Sequence, residues 1–235
     1  MNSVGGGPGA EAEGEHPPRP GTKRIVLADD EQLVRGALAA ILGGEPDMEI
    51  VGEAGTGTEA VSLAALLRPD LVLMDVRMPG LDGIAATEQL LAAVDPPPRV
   101  LVVTTFENDS YVYDALRAGA HGFLLKRSSA DELVRVVRMA AESDSLLFPA
   151  AVRALAARHA PPNARDRVTG RLTEREAQIL RLMTRGLNNA EIAGELTLGA
   201  ETVKTHVASV LAKLRVRDRT QAVIVAYELG FVRPH

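Results

Sequence analysis

The chain has 235 residues, 46% of them hydrophobic and 24% charged, and it contains no cysteine. This length fits two domains of ordinary size, and the lack of cysteine excludes disulfides, thiolate metal sites and cysteine nucleophiles. No run approaches the ~18 apolar residues of a membrane span and no secretory signal pattern is present, so we expect a cytoplasmic protein without membrane contact.

The net charge of −5 is unevenly distributed along the chain. Residues 1–170 carry 16 Lys and Arg against 24 Asp and Glu, whereas residues 171–235 carry 10 against 7. The acidic first part argues against nucleic acid binding there. The basic second part is compatible with it.

The first 143 residues predict a disordered arm followed by an α/β domain. Residues 1–22 are rich in Gly, Pro and Glu, a composition typical of disorder. From residue 23 to 143, short apolar runs alternate with helix-length segments, which predicts a five-stranded parallel doubly wound sheet covered on both faces. The predicted strands are 25–28, 50–51, 71–74, 100–103 and 122–125, and the predicted helices are 32–42, 57–67, 83–94, 110–118 and 130–141.

The remaining residues predict a linker and an all-α domain of four helices. Residues 144–170 form the linker, with a short helix over 149–158 that begins at a proline. In the domain 171–235, Thr173 with Glu176 and Asn188 with Glu191 match the pattern that caps helix N-termini. The third and fourth helices are predicted over 200–214 and 220–229. The pattern fits a helix-turn-helix domain, and a helical bundle for protein contacts fits equally well.

Polar side chains follow four of the predicted strands. Binding sites of open parallel sheets form at the carboxyl ends of the strands, so these residues are expected to lie together. They are Asp29, Asp30, Asp75, Thr104 and Lys126. Converging carboxylates repel one another unless a cation such as Mg²⁺ is bound. Asp75 would then keep one oxygen free as a nucleophile for phosphoryl transfer, with Lys126 and Thr104 on the phosphoryl oxygens.

The spacing of Asp30, Asp75, Thr104 and Lys126 resembles the receiver domain of two-component response regulators. The loop Asp-Val-Arg-Met-Pro-Gly-Leu-Asp-Gly, from residue 75 to 83, is similar to the loop after the phosphorylated aspartate of receivers. The resemblance covers residues 23–143.

The resemblance to receivers implies a role for each matching position. Asp75 is implied as the phosphoacceptor, with Lys126 binding the phosphate. Thr104 and Phe123 are implied as the switch residues. The implied Mg²⁺ ligands are Asp29 (through water), Asp30, Asp75 and the backbone carbonyl of Arg77.

Two positions depart from the receiver pattern. Arg127 follows the lysine where Asp or Pro is usual, and Phe123 stands where tyrosine is frequent. Neither departure removes a catalytic group.

Four segments of the last domain resemble the LuxR-type DNA-binding domain. They are residues 172–176, 186–193, 202–207 and 213–214. A receiver followed by this domain is the architecture of the NarL/FixJ response regulators. The resemblance implies DNA contacts by Lys204, Thr205, Ala208 and Ser209, and a dimerisation role for the last helix. Gly199 departs from the usual serine cap, and Ala208 is apolar where relatives are polar.

The sequence therefore predicts a phosphorylation-controlled transcription regulator that uses Mg²⁺ and is not an enzyme beyond its own phosphorylation and dephosphorylation. The expected partners are a sensor histidine kinase, double-stranded DNA with an inverted repeat, a second copy when phosphorylated, and RNA polymerase. Two alternatives remain. An aspartate-nucleophile phosphatase would want an acid where Arg77 stands, and a phosphorylation-independent DNA binder would carry a vestigial receiver.

Overall fold

A computed structural model describes residues 21–105, 109–142, 147–160 and 171–232 of the chain. Most of the predicted arm 1–22 and the two ends of the predicted linker lie outside these residues. No helix among the described residues is long and apolar enough to cross a membrane.

The first part of the chain is a five-stranded parallel sheet in the order β2-β1-β3-β4-β5. The strands are β1 (Lys23–Ala28), β2 (Met48–Ala54), β3 (Leu71–Asp75), β4 (Arg99–Thr104) and β5 (Gly122–Leu125). The helices between and after them are α1 (Gln32–Gly43), α2 (Gly57–Leu67), α3 (Gly83–Ala93), α4 (Asp109–Ala118) and α5 (Ala130–Glu142). The predicted α/β fold is confirmed, and every predicted element end lies within three residues of the observed one.

Helices cover both faces of the sheet. The central strands therefore carry apolar side chains on both faces. On one face, Leu27, Leu73 and Leu101 pack with residues of α1 and α5. On the other face, Val26 and Val102 belong to the apolar cluster of α2, α3 and α4. This packing fixes the carboxyl ends of β1, β3, β4 and β5 along one edge of the domain.

The second part of the chain is helical, as predicted. A linker helix α6 (Pro149–His159) precedes α7 (Glu174–Thr184), α8 (Asn189–Leu196), α9 (Ala200–Leu214) and α10 (Arg219–Glu228). Both predicted capping boxes are present, at Thr173 with Glu176 and at Asn188 with Glu191. Gly199 precedes α9 without a side-chain cap, because glycine has no side chain to accept the hydrogen bond.

The linker helix packs between the two domains. Val152 and Leu155 of α6 share one buried cluster with Tyr113 of α4 and with Val223 and Ile224 of α10. The two domains therefore share an apolar interface in this structure. Helices α6 and α4 cover the outer face of α10, which carries Val223 and Ile224.

Candidate functional site

Three carboxylates converge at the carboxyl end of the sheet. Asp29 and Asp30 follow β1 directly, and Asp75 is the last residue of β3, the strand that pairs with β1. One oxygen from each of the three lies within 4.8 Å of the others. Asp29 and Asp75 are buried, whereas Asp30 is exposed at the rim. The sequence prediction that these groups lie together is borne out by this geometry.

Lys126, which follows β5, enters the same cluster. Its Nζ lies 2.5 Å from an Asp29 oxygen and 3.2 Å from an Asp75 oxygen. Burial alone would lower the pKa of Lys126, but the bonds to Asp29 and Asp75 outweigh it and raise the pKa above the ordinary value. The lysine therefore stays charged and partly offsets the repulsion between the two carboxylates.

Burial dominates the chemistry of Asp75. Loss of water raises the pKa of its carboxyl group, Lys126 acts in the opposite direction, and the negative charge of Asp29 raises the pKa further. A second cation beside Lys126 would favour the ionised form of Asp75, which is the form that can act as a nucleophile.

The loop after Asp75 is shaped by its Asp-Gly pair. Asp82 caps α3 by accepting a hydrogen bond from the Ala85 backbone N–H at 2.8 Å. A Cβ on Gly83 would lie only 1.9 Å from the backbone oxygen of Asp75, so only glycine fits at this position. Because α3 begins next to Asp75, the loop stays beside this residue. An open cleft lined by Asp30 and Arg77 lies next to the loop.

The two predicted switch residues occupy neighbouring strands. Thr104 is the buried last residue of β4, and its backbone oxygen accepts from the Lys126 N–H. Phe123 lies on β5, pairs in register with Val102 and is only partly buried. Its ring centroid lies 5.8 Å from that of Phe148, the residue that precedes α6. This contact therefore connects the edge strand β5 to the start of the linker helix.

Arg35 supports the acidic cluster, although the sequence does not indicate this role. Arg35 of α1 donates through Nη1 to the backbone oxygen of Asp29 at 2.6 Å, and its Nε lies 3.3 Å from Glu53. This contact ties the loop that carries both acidic residues to α1 and β2. Nothing in the sequence marks it, because the partner is a backbone atom.

The donor set fits a hard divalent cation. Mg²⁺ prefers carboxylate and carbonyl oxygens, and three carboxylates with one lysine leave a net negative charge at the cluster. The arrangement can hold such an ion and present an Asp75 oxygen to a phosphoryl group.

The third helix of the second domain presents polar and small residues to the outside. Lys204, Thr205 and Ala208 are exposed on α9, whereas Val203 and Val207 face the core. The Thr205 hydroxyl donates to the Glu201 backbone oxygen at 3.0 Å. These three exposed residues are among the DNA contacts that the resemblance implies.

Ser209, the fourth predicted DNA contact, is engaged within the domain. Its hydroxyl donates to Glu176 at 2.6 Å, and Lys213 donates to the same carboxylate at 2.6 Å. Burial would raise the pKa of Glu176, but the bonds from Lys213 and Ser209 outweigh it and lower the pKa to about 2. The network fastens α7 to α9.

Two family models match the two parts of the chain. The receiver domain of response regulators matches residues 25–138, and the bacterial regulatory proteins of the LuxR family match residues 170–226. The chain belongs to the NarL/FixJ family of response regulators. It is a DNA-binding response regulator of two-component systems that regulates transcription.

Relatives of this response regulator match over nearly the whole chain. The transcriptional regulatory protein LiaR of Bacillus subtilis is 42% identical over 87% of this chain and 96% of its own. The response regulator protein VraR of Staphylococcus aureus is 38% identical over 90% of this chain and all of its own. The structure of the RcsB response regulator of Salmonella typhimurium covers 86% of this chain and 97% of its own, with 22% identity and a TM-score of 0.51, a likeness of fold.

In this response regulator, α10 makes polar contacts with the receiver domain as well as apolar ones. Glu228 accepts from the Tyr113 hydroxyl at 2.6 Å and pairs with Arg117 at 3.1 Å. At the other end of α10, the Thr220 hydroxyl donates to the His121 backbone oxygen at 3.1 Å. Both ends of the helix are thus held by the receiver domain.

Helix α9 borders the same junction. Lys204 and Ala208 line a cavity of about 280 Å³ together with Arg99 and His121 of the receiver domain. Two of the predicted DNA contacts therefore border the receiver domain in this structure, although both remain exposed.

Proposed function

We propose that Asp75 accepts a phosphoryl group from the phosphohistidine of a sensor histidine kinase, and that Mg²⁺ is bound by Asp29 (through water), Asp30, Asp75 and the backbone carbonyl of Arg77. The observation that carries the proposal is the convergence of the three carboxylates with Lys126 at one edge of the sheet.

Each protein group has a distinct part in the transfer. An Asp75 oxygen attacks phosphorus, so that an O–P bond forms while the P–N bond of the donor breaks and the imidazole takes up a proton. The Lys126 ammonium group holds one phosphoryl oxygen, and the Thr104 hydroxyl donates to another. The metal ion supplies charge neutralisation for the phosphoryl oxygens. The chain acts only on its own aspartate, so it is a regulator and no turnover enzyme.

Mass measurement tests the acceptor assignment. Incubation of the wild-type chain with acetyl phosphate and Mg²⁺ should add the mass of one phosphoryl group, and Asp75→Ala should add none. The buried Asp29 is engaged through both oxygens, by Lys126 and by the Glu31 backbone N–H, and Asp30 is exposed at the rim, so neither is expected to replace Asp75. Asp70→Asn, which lies at the opposite end of β3, serves as the control. A full mass gain in Asp75→Ala would contradict the assignment. No gain in the wild type would favour the vestigial receiver.

We further propose that α9 enters the major groove, with Lys204, Thr205 and Ala208 toward the DNA. A lysine contacts a phosphate or a guanine edge, and a threonine or alanine methyl group can contact thymine. Ser209 belongs to the same predicted set, but its bond to Glu176 must break before its hydroxyl can reach a base.

The receiver domain restrains the DNA-binding domain in the unphosphorylated chain. Support comes from the cavity that Lys204 and Ala208 share with Arg99 and His121, because part of the predicted DNA-contacting face of α9 borders the receiver domain there. The Phe123 contact with Phe148 offers a connection from the phosphorylation site to α6. Phosphorylation then favours a dimer in which two copies bind an inverted repeat in the cytoplasm, where RNA polymerase is a further partner.

A further inference from the structure

Asp218 lies at the junction between the two domains. It caps α10, where its Oδ1 accepts a hydrogen bond from the Gln221 backbone N–H at 2.8 Å. Its other oxygen, Oδ2, is buried and has no hydrogen-bond partner among the described residues. Asp218 also lines the interdomain cavity of about 280 Å³. An ordinary N-cap aspartate keeps its second oxygen in water, so the burial here is unusual.

Charged and titratable groups face Asp218 from several elements. Arg217 precedes it and Arg219 follows it, and the Arg219 guanidinium donates to the Leu187 backbone oxygen and to Asn189. The receiver domain contributes Arg99 of β4 and His121, and α9 contributes Lys204. The Arg99 Nη1 donates to the Ala140 backbone oxygen at 3.3 Å, and the His121 Nδ1 accepts from the Val100 N–H at 3.2 Å.

The surroundings of Asp218 favour its neutral carboxyl form below about pH 7. Burial raises the pKa of Asp218 to about 7, although the hydrogen bonds from the Gln221 and Thr220 backbone and the charges of Arg217 and Arg99 act to lower it. Receiver residues, including Arg99 and His121, form part of the cavity wall. We expect separation of the domains to remove that part of the wall and to return Oδ2 to water.

We propose that the contact between the domains is a proton-linked latch, in which the closed chain holds Asp218 protonated and opening releases that proton. The proposal rests on the restraint proposed above and adds a regulator to it: pH acts on the same closed arrangement that phosphorylation opens. A protonated carboxyl group costs less free energy to bury beside the receiver domain than an ionised one, so ionisation of Asp218 disfavours closure.

The direction of the pH effect follows from the two environments. The Asp218 pKa is about 7 in the closed chain, and we expect its ordinary value of 3.8 in the open chain, where water would reach Oδ2. Between these values, opening releases one proton, so the ratio of open to closed chains rises about tenfold for each pH unit. Above pH 7 the ratio levels off. From pH 5.5 to 8.5 the ratio should rise by roughly thirtyfold.

The test measures the distance between the domains in the unphosphorylated full-length chain. Because the chain has no cysteine, Ser62→Cys on α2 and Gly194→Cys on α8 give two exposed positions for spin labels. Distance distributions recorded from pH 5.5 to 8.5 should show the longer distance gaining population as pH rises. Adding Asp218→Asn should remove this dependence, because asparagine caps a helix as well as aspartate does and carries no charge. Adding Glu49→Gln on the edge strand β2, which β1 and β3 separate from β4, should leave it intact.

The outcomes separate the latch from the proposed function. An equal pH slope with aspartate and asparagine at position 218 would overturn the latch and assign the dependence to other titratable groups. A closed population unaffected by pH would also overturn the latch while leaving the restraint in place. An open distance at every pH would overturn both. Phosphorylation of the same samples by acetyl phosphate reports separately on Asp75.

Discussion

Asp30 is the exposed member of the three carboxylates, whereas Asp29 and Asp75 are buried beside Lys126. Asp30→Asn removes one negative ligand without disturbing the buried ion pairs. We expect the affinity for Mg²⁺ to fall by roughly tenfold or more, because charge count tunes the binding of hard cations. A Mg²⁺ titration by calorimetry measures the effect, with Asp70→Asn as the control of equal charge. An unchanged affinity would place the ion elsewhere.

Glu176 joins α7 to α9 through Ser209 and Lys213. Glu176→Gln should destabilise the DNA-binding domain by about 1–3 kcal/mol, the range for a charge-assisted hydrogen bond in a buried position. Denaturant unfolding measured by circular dichroism gives the free energy.

The same carboxylate predicts a pH dependence of stability. The pKa of Glu176 is lowered from 4.5 to about 2 in the folded chain. Its contribution is therefore full above pH 4.5 and is lost as pH falls toward 2. The stability difference between wild type and Glu176→Gln should shrink over this range. A difference that stays constant from pH 6 to pH 3 would contradict the role of the charge.

The acidic residues could be predicted from the sequence because strand ends of a parallel sheet must meet at one edge. Arg35 and Asp218 could not. Arg35 binds a backbone oxygen, and Asp218 lies two residues before the helix predicted over 220–229, with a buried Oδ2 beside a cavity that receiver residues help to line. Both depend on tertiary contacts that no local pattern records.

At the scale of elements, β2 illustrates the limit of sequence patterns. The sequence predicted a strand at residues 50–51, whereas the strand runs from Met48 to Ala54. β2 lies at the edge of the sheet, where Glu49 and Glu53 can face water, so its apolar run is short. Central strands such as β3, buried throughout, were predicted to within one residue.

The outer contact of α10 predicts a variant with a weaker closed state. Glu228→Gln loses the ion pair with Arg117 and leaves Tyr113 with an uncharged acceptor. An exposed ion pair of this kind stabilises by up to about 1 kcal/mol, so the unphosphorylated chain should bind DNA up to about fivefold more tightly. Fluorescence anisotropy with labelled DNA measures the affinity. Glu195→Gln, which loses a comparable exposed pair with Arg185, should have no effect, and equal affinities in the two variants would contradict the restraint.

The exposed face of α9 predicts a variant that loses DNA affinity alone. Lys204→Ala should weaken binding by about 1–3 kcal/mol if the lysine contacts a guanine edge. If it contacts a phosphate, binding should weaken on all sequences and the salt dependence should fall by about one charge. Phosphorylation should be unchanged. Lys23→Ala, in the receiver domain, is the control, and unaltered DNA affinity in Lys204→Ala would remove α9 from the interface.

At the scale of the whole molecule, the order of domains was predicted and their contact was not. Residues 144–170 were predicted as a linker with one helix, and the described part contains α6. The apolar face of α6 packs against α4 and α10 in one cluster. The outer face of α10 is therefore covered within the chain, and a second copy could reach this face only after α6 and α4 had moved away.

The most direct test of the whole account compares the DNA affinity of three forms at fixed salt and concentration. They are the phosphorylated chain, the unphosphorylated chain and the fragment 165–235, each titrated with a duplex selected from random sequence by the phosphorylated chain. The account predicts that the phosphorylated chain and the fragment bind more tightly than the unphosphorylated chain, and that Asp75→Ala treated with acetyl phosphate stays at the weak value. Equal binding by all three forms would contradict it, because the receiver domain would then not control the DNA-binding domain.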